Sequence, residues 1–128
     1  MANPHTHAKS SVRKYGGVLE DYLDIHTLMD SGKGVCADNR GRVFTHNSFF
    51  CERMIPLIFG EVRVNSDGRD YSPRQVSFDH CQEDYGGFIP TPGDWIDSME
   101  SAAWMQNGKE RPPASRSLGG EMKKVYIG

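Results

Sequence analysis

The chain has 128 residues, 37% of them hydrophobic, and a formal net charge of −2. That length suits one domain with its own core, and that charge balance gives no electrostatic basis for general nucleic-acid binding. No apolar run approaches the roughly 18 residues a membrane span needs, and the N-terminus lacks the apolar stretch of a secretory signal, so no membrane association and a cytoplasmic location are expected.

Residues 1–17 carry His5, His7, Lys9, Arg13 and Lys14 with little to bury, and read as a flexible basic arm. The first predicted helix covers residues 19–31, where Leu19, Tyr22, Leu23, Ile25, His26 and Met29 recur at three- and four-residue spacing. Gly32 is its expected stop. A second helix is predicted over residues 39–55 with Asp38 as N-cap. Val43, His46, Phe49, Phe50 and Met54 form its stripe, and Pro56 kinks or ends it. Residues 61–71 alternate around Asn65-Ser66-Asp67-Gly68, a hairpin-like excursion. The third helix opens on Ser72 as N-cap, Pro73 at N1 and Gln75 at N3, and runs to about Tyr85. The fourth repeats the device with Thr91, Pro92 and Asp94 and runs to Asn107-Gly108. Residues 108–128 read as an extended tail, whose apolar piece at 125–127 offers a strand for assembly into a homo-oligomer. The expected fold is therefore mainly α: a compact four-helix single domain at residues 18–107, with a short β-hairpin-like excursion and flexible tails.

Three cysteines without a C-x-x-C pair exclude a zinc ribbon and a thioredoxin-type motif, leaving buried thiols. The chemistry lies instead in three histidines. His26 has Asp30 at i+4, and His80 has Glu83 and Asp84 at i+3 and i+4, spacings that share a helix face. His46 lies inside an apolar stripe beside Asn47. Imidazole and carboxylate together are the ligand set of a divalent transition metal such as zinc, iron or manganese. The expected site takes His26, Asp30, His46, His80 and Asp84 as metal ligands and Glu83 as catalytic base. Lys33 and Arg40 hold a small anionic ligand. Such a site activates water for hydrolysis of a phosphoester or amide. The competing reading is a non-catalytic binding or assembly protein, whose histidines and carboxylates, paired with arginines, form a structural polar network.

Glu20-Asp21-Tyr22, Ile25-His26, Asp30-Ser31, Lys33, Asp38, Arg40, Arg42, His46-Asn47, Asn65-Ser66-Asp67-Gly68, His80, Glu83-Asp84, Ile89-Pro90-Thr91, Asp94-Trp95 and Trp104-Met105 lie in chain order across residues 16–105. This pattern resembles a small family of bacterial and phage proteins of unknown function. The resemblance implies a common fold and a shared polar interior. It also implies two departures: Gly32, inserted in a D-S-K element, and Gly41, where a histidine is expected whose loss would weaken any site that used it.

Overall fold

A computed structural model of the chain describes residues 3–111. The expected strand at residues 125–127, with most of the predicted C-terminal tail, lies outside the described residues. The fold is mainly helical with one small antiparallel hairpin, but its helices are shorter and more numerous than the periodicity suggests. In chain order they are α1 (Pro4–Tyr15), α2 (Leu23–Met29), α3 (Ile55–Phe59), β1 (Arg63–Val64), β2 (Asp70–Tyr71), α4 (Pro73–Asp84), α5 (Pro92–Ile96) and α6 (Trp104–Asn107). Among the described residues, no helix is long and apolar enough to cross a membrane.

The largest correction is at the N-terminus. The segment expected to be an arm is α1, and it packs on α2 and α4. Asn3 caps it by accepting from the Thr6 amide at 2.9 Å, and Pro4 occupies the first turn, where its missing N–H costs nothing. Its inner face is mostly polar, with His7, Ser10 and Ser11 buried beside Ala8. Hydrophobic periodicity therefore misses it.

Two predicted helices are interrupted by close backbone contacts and side-chain capping. The first divides into a 3-10 turn (Leu19–Asp21), α2 and a second 3-10 turn (Ser31–Gly34). Gly32 does not stop a helix there; it meets Gly41. A Cβ on Gly32 would lie 1.9 Å from the Gly41 carbonyl oxygen, and one on Gly41 would lie 2.4 Å from the Gly32 oxygen. A histidine at 41 would not fit, so its absence weakens nothing in this structure. The second predicted helix becomes a 3-10 turn (Asn39–Phe44), a break at residues 45–47, and a helical stretch that passes through a π-helical turn (Phe50–Met54) into α3. Asp38 does cap the 3-10 turn through the Arg40 amide. The break arises because Asn47 accepts from the Phe50 amide and donates to the Val43 carbonyl, while Thr45 donates to Met29. Pro56 ends nothing. The π turn passes the Ile55 N–H to Phe50, and the Glu52 carbonyl, which loses its helical donor at Pro56, accepts from Arg74 Nε at 3.1 Å.

The third predicted helix is realised as α4, with Ser72 accepting from the Gln75 amide. The fourth begins with its capping box of Thr91 and Asp94, yet α5 ends at Ile96 and helix resumes only at Trp104. The hairpin pairs Arg63 with Tyr71 and Val64 with Asp70. Buried Asn65 holds its turn to the body, accepting from the Asp67 and Arg69 amides and donating to the Tyr15 carbonyl and Tyr22 hydroxyl.

Helix α4 is the centre of the fold, touching α1, α2 and α3. One side of it meets the apolar core of Tyr22, Ile25, Met29, Cys51, Ile55, Val76 and Cys81. The other side presents His80 and Asp84 to a polar interior built from α1, α2 and the break at residues 45–47.

A candidate metal centre

Four histidines, His7, His26, His46 and His80, are all but fully buried. No apolar packing requires this. Each polar atom taken from water needs a partner or costs a few kcal/mol. The partners here are mostly one another and three carboxylates.

Asp84, with its side chain 1% exposed, is the hub. Its Oδ1 lies 3.1 Å from His7 Nε2, and its Oδ2 lies 2.8 Å from His46 Nε2 and 3.4 Å from His80 Nε2. Burial opposes its ionisation, but the hydrogen bonds with His46, His7 and His80 hold its carboxyl far below the usual carboxylate range. His80 Nε2 also faces Asp30 Oδ1 at 3.1 Å. Burial alone would push the His80 imidazole down; the hydrogen bonds to Asp30 and Asp84 outweigh it and raise it. Burial likewise works to raise Asp30, and His80 brings it below its ordinary value.

The protons can be followed through the network. The Ser11 hydroxyl lies 3.3 Å from the His7 carbonyl and 2.8 Å from His26 Nε2; with its proton on the carbonyl, its oxygen accepts from His26 Nε2. His26 Nδ1 is then the acceptor for the Nδ1–H of His80, 2.9 Å away. A neutral His26 fits this chain, since burial and the neighbouring His80 and His7 rings push it down to about 3. His26 thereby fixes the His80 tautomer and leaves Nε2 directed at the two aspartates.

His46 is arranged the same way. Thr45 gives its only hydroxyl proton to the Met29 carbonyl, so its oxygen accepts from His46 Nδ1 at 3.0 Å. With Nδ1 carrying the proton, a neutral His46 turns a bare Nε2 lone pair toward the Asp84 carboxylate. Burial pushes His46 down toward that neutral form, with the Asp84 hydrogen bond offsetting only part of the effect. Two acceptors facing each other at 2.8 Å call for a positive charge that both can reach, a proton on Nε2 or a metal ion beside the pair.

Two sets of donor atoms lie within 4.8 Å of one another, and they share His80: Asp30 with His46, His80 and Asp84, and His7 with His26 and His80. The first has the better geometry. Bonds of about 2.0–2.2 Å place neighbouring ligands of a tetrahedral ion about 3.3–3.6 Å apart; three of the six edges here are 2.8, 3.1 and 3.4 Å, and all lie within 4.8 Å. The His46 and His80 rings cross at 74°, so their in-plane lone pairs can converge. In the second set the three rings are nearly parallel, at 21–24°, with His7 stacked on His80 at 3.7 Å. Stacked rings direct their lone pairs past one another. Two imidazoles and two carboxylates make a nitrogen–oxygen set whose two negative charges match a divalent ion.

The structure thus brings four of the sequence-derived ligands, Asp30, His46, His80 and Asp84, to one point. His26 stands behind His80 as its hydrogen-bond partner, with both its ring nitrogens engaged. Glu83, expected as the base, is turned the other way. Its Oε1 lies 2.8 Å from His7 Nδ1, and its Oε2 accepts from Ser10 at 2.6 Å and Lys14 at 3.1 Å, so it fastens α1 to α4. Arg40, expected to hold an anion, is exposed and closes on Asp38 through Nε and Nη2. Lys33 borders a cavity beside Asp30. Sequence reasoning passed over Ser11 and Thr45, left His7 in a solvated arm, and read Arg42, buried here, as part of a solvated basic turn. The Asn3-Pro4 cap and the Ala8, Val12, Tyr15 line are the signals that α1 exists. Cys51 and Cys81 lie in the core with their sulfurs 3.7 Å apart and belong to neither donor set.

Neither the comparison with curated proteins nor that with solved structures returned a match. A family description does fit: it covers residues 2–105, which include every side chain of the cluster, and so the chain belongs to the family described as "Domain of unknown function (DUF6915)".

Proposed function

We propose that this domain binds one divalent transition metal ion, zinc, iron or manganese, through Asp30, His46, His80 and Asp84, and uses it for hydrolysis. The observation that carries the reading is the His46–Asp84 contact. Thr45 holds a proton on His46 Nδ1, so the neutral ring turns a buried lone pair toward a buried carboxylate at 2.8 Å. With these four ligands in place, an ion that expands to a fifth, open coordination position would act as a Lewis acid and lower the pKa of a water held there. The chain's own part is to hold the two imidazoles in the ligating tautomer, through Thr45 and His26, and to exclude bulk water. Asp30 is the carboxylate placed to take a proton, because its Oδ2 has no hydrogen-bond partner. It takes over the role expected of Glu83.

One observation favours a second reading, a purely structural network: every ring nitrogen of the four buried histidines already faces a polar partner. Elemental analysis of tag-free protein separates the two. Near-stoichiometric metal, lost in His80→Ala, with metal-dependent hydrolysis of a phosphoester or amide, supports the enzyme. Bound metal without hydrolysis reduces the proposal to a metal site. No metal, in a protein that His80→Ala merely destabilises, leaves the structural network.

A further inference from the structure

A partly enclosed cavity of about 70 Å³ opens beside the metal centre, walled by Asp30, Gly32, Lys33, Asp38, Asn39 and Arg42 among others. Gly32 and Gly41 let the two 3-10 turns touch, and Lys33 from one turn and Arg42 from the other both line it. Two of its polar groups lack partners. Arg42 is only 6% exposed, yet its Nη2 makes no hydrogen bond, and the nearest carboxylate oxygen, Asp84 Oδ2, is 3.8 Å away. Asp30 is 9% exposed, with Oδ2 equally unpaired. A buried guanidinium with an unused N–H costs stability, and a ligand that pairs with it offsets that cost.

The charges on the walls describe that ligand. Asp38 is neutralised by its own Arg40, at 2.8 Å. Asp30 belongs to the metal's ligand set. Lys33 and Arg42 are the cations that line the cavity; Arg42 stands 5.6 Å over the Tyr85 ring and keeps Nη2 without a hydrogen bond, and a guanidinium fork is the group that matches phosphate oxygens. The volume admits one small polyatomic group and not a peptide segment.

We propose that this cavity seats the phosphoryl group of a small phosphate monoester, with Arg42 and Lys33 donating to its oxygens at the edge of the metal centre. The inference rests on the metal reading and names its substrate class, choosing phosphoester over amide.

The test is calorimetric titration of inorganic phosphate into the full chain, zinc-loaded and chelator-stripped, with zinc content measured on each sample. The expected result is phosphate binding that weakens about tenfold or more in Arg42→Gln while zinc stoichiometry is kept, since a charge-assisted hydrogen bond is lost. Lys33→Gln, at an exposed position, should weaken it by about threefold, as for a partly solvated charge. Phosphate affinity unchanged in both variants, or no phosphate binding to zinc-loaded wild type, overturns the proposal and leaves the metal site standing. If no zinc binds, the metal reading fails. The stripped protein then decides the seat alone: Arg42-dependent phosphate binding keeps it, and none removes it. Should Arg42→Gln fail to fold, Lys33→Gln decides in the same way.

Discussion

Replacing Asp84 with asparagine removes one charge at nearly constant volume, and the structure sets the scale of the effect. The side chain is 1% exposed and faces nitrogens of His7, His46 and His80 at 3.1, 2.8 and 3.4 Å. An asparagine offers one acceptor oxygen where the carboxylate offers two; its amide nitrogen, set at the Oδ2 position, satisfies the bare His46 Nε2 but turns a donor toward His80 Nε2. His80, raised by its aspartates, is left as a buried cation with only Asp30 to face. Breaking a buried ion pair by removing one partner costs about 3–5 kcal/mol. A domain of this size has a total stability of roughly 6–19 kcal/mol, so the loss is a large fraction of the whole. Urea unfolding of chelator-treated Asp84→Asn, followed by far-UV circular dichroism, should show that loss with an unchanged slope. In the presence of zinc the gap should widen, because only the wild type keeps all four ligands. A loss below about 1 kcal/mol without metal, the range of an exposed salt bridge, would refute the assignment of Asp84 as hub.

Thr45→Val should lower metal affinity about 10- to 100-fold, as loss of a group that orients a ligating histidine does, while Thr45→Ser restores it; competition with a zinc chelator reads the difference. His26 supplies the pH dependence of the metal-free protein. Its folded pKa of about 3 lies below the unfolded value of 6.5, so the unfolded state takes up the proton first as pH falls. Its contribution is full above pH 6.5 and is lost from there toward pH 3. His80, raised, is charged in both states below pH 6.5 and adds no slope there. Between pH 5.5 and 4.5 the wild type should lose about 1 kcal/mol more than His26→Gln in urea titrations; equal slopes contradict the neutral His26. Gly41→Ala puts a Cβ 2.4 Å from one carbonyl oxygen and 2.8 Å from another, both backbone. It should cost about 2–3 kcal/mol by overpacking, and a midpoint in urea unchanged from wild type would show that the turns can separate.

The candidate site was more legible than the path of the chain. His80 and Asp84 could be placed together because Ser72, Pro73 and Gln75 define where α4 begins, and i, i+4 spacing then fixes the face. Asp30 and His46 were found as ligand types, but for an incomplete reason. His46 reads as part of a helical stripe, whereas it sits in a break made by Thr45 and Asn47, whose side chains compete with the helix for backbone groups. The α1 helix escaped notice because its buried face is histidine and serine, and periodicity scores only apolar residues. Glu83 and Arg40 carry the right chemistry but are turned aside by partners distant or adjacent in sequence, Ser10 and Lys14 for one and Asp38 for the other. Spacing within one element predicts a shared face; it does not show which neighbour reaches that face first.

The central claim is that Asp30, His46, His80 and Asp84 hold one ion and that His7 and His26 only support them. Calorimetric titration of zinc into chelator-stripped, tag-free protein tests this most directly, across single substitutions to glutamine or asparagine at the six positions. The account predicts one ion per chain, lost or strongly weakened in Asp30→Asn, His46→Gln, His80→Gln and Asp84→Asn, and retained at unit stoichiometry in His7→Gln and His26→Gln. No zinc uptake by the wild type, or loss confined to His7→Gln and His26→Gln, would contradict it.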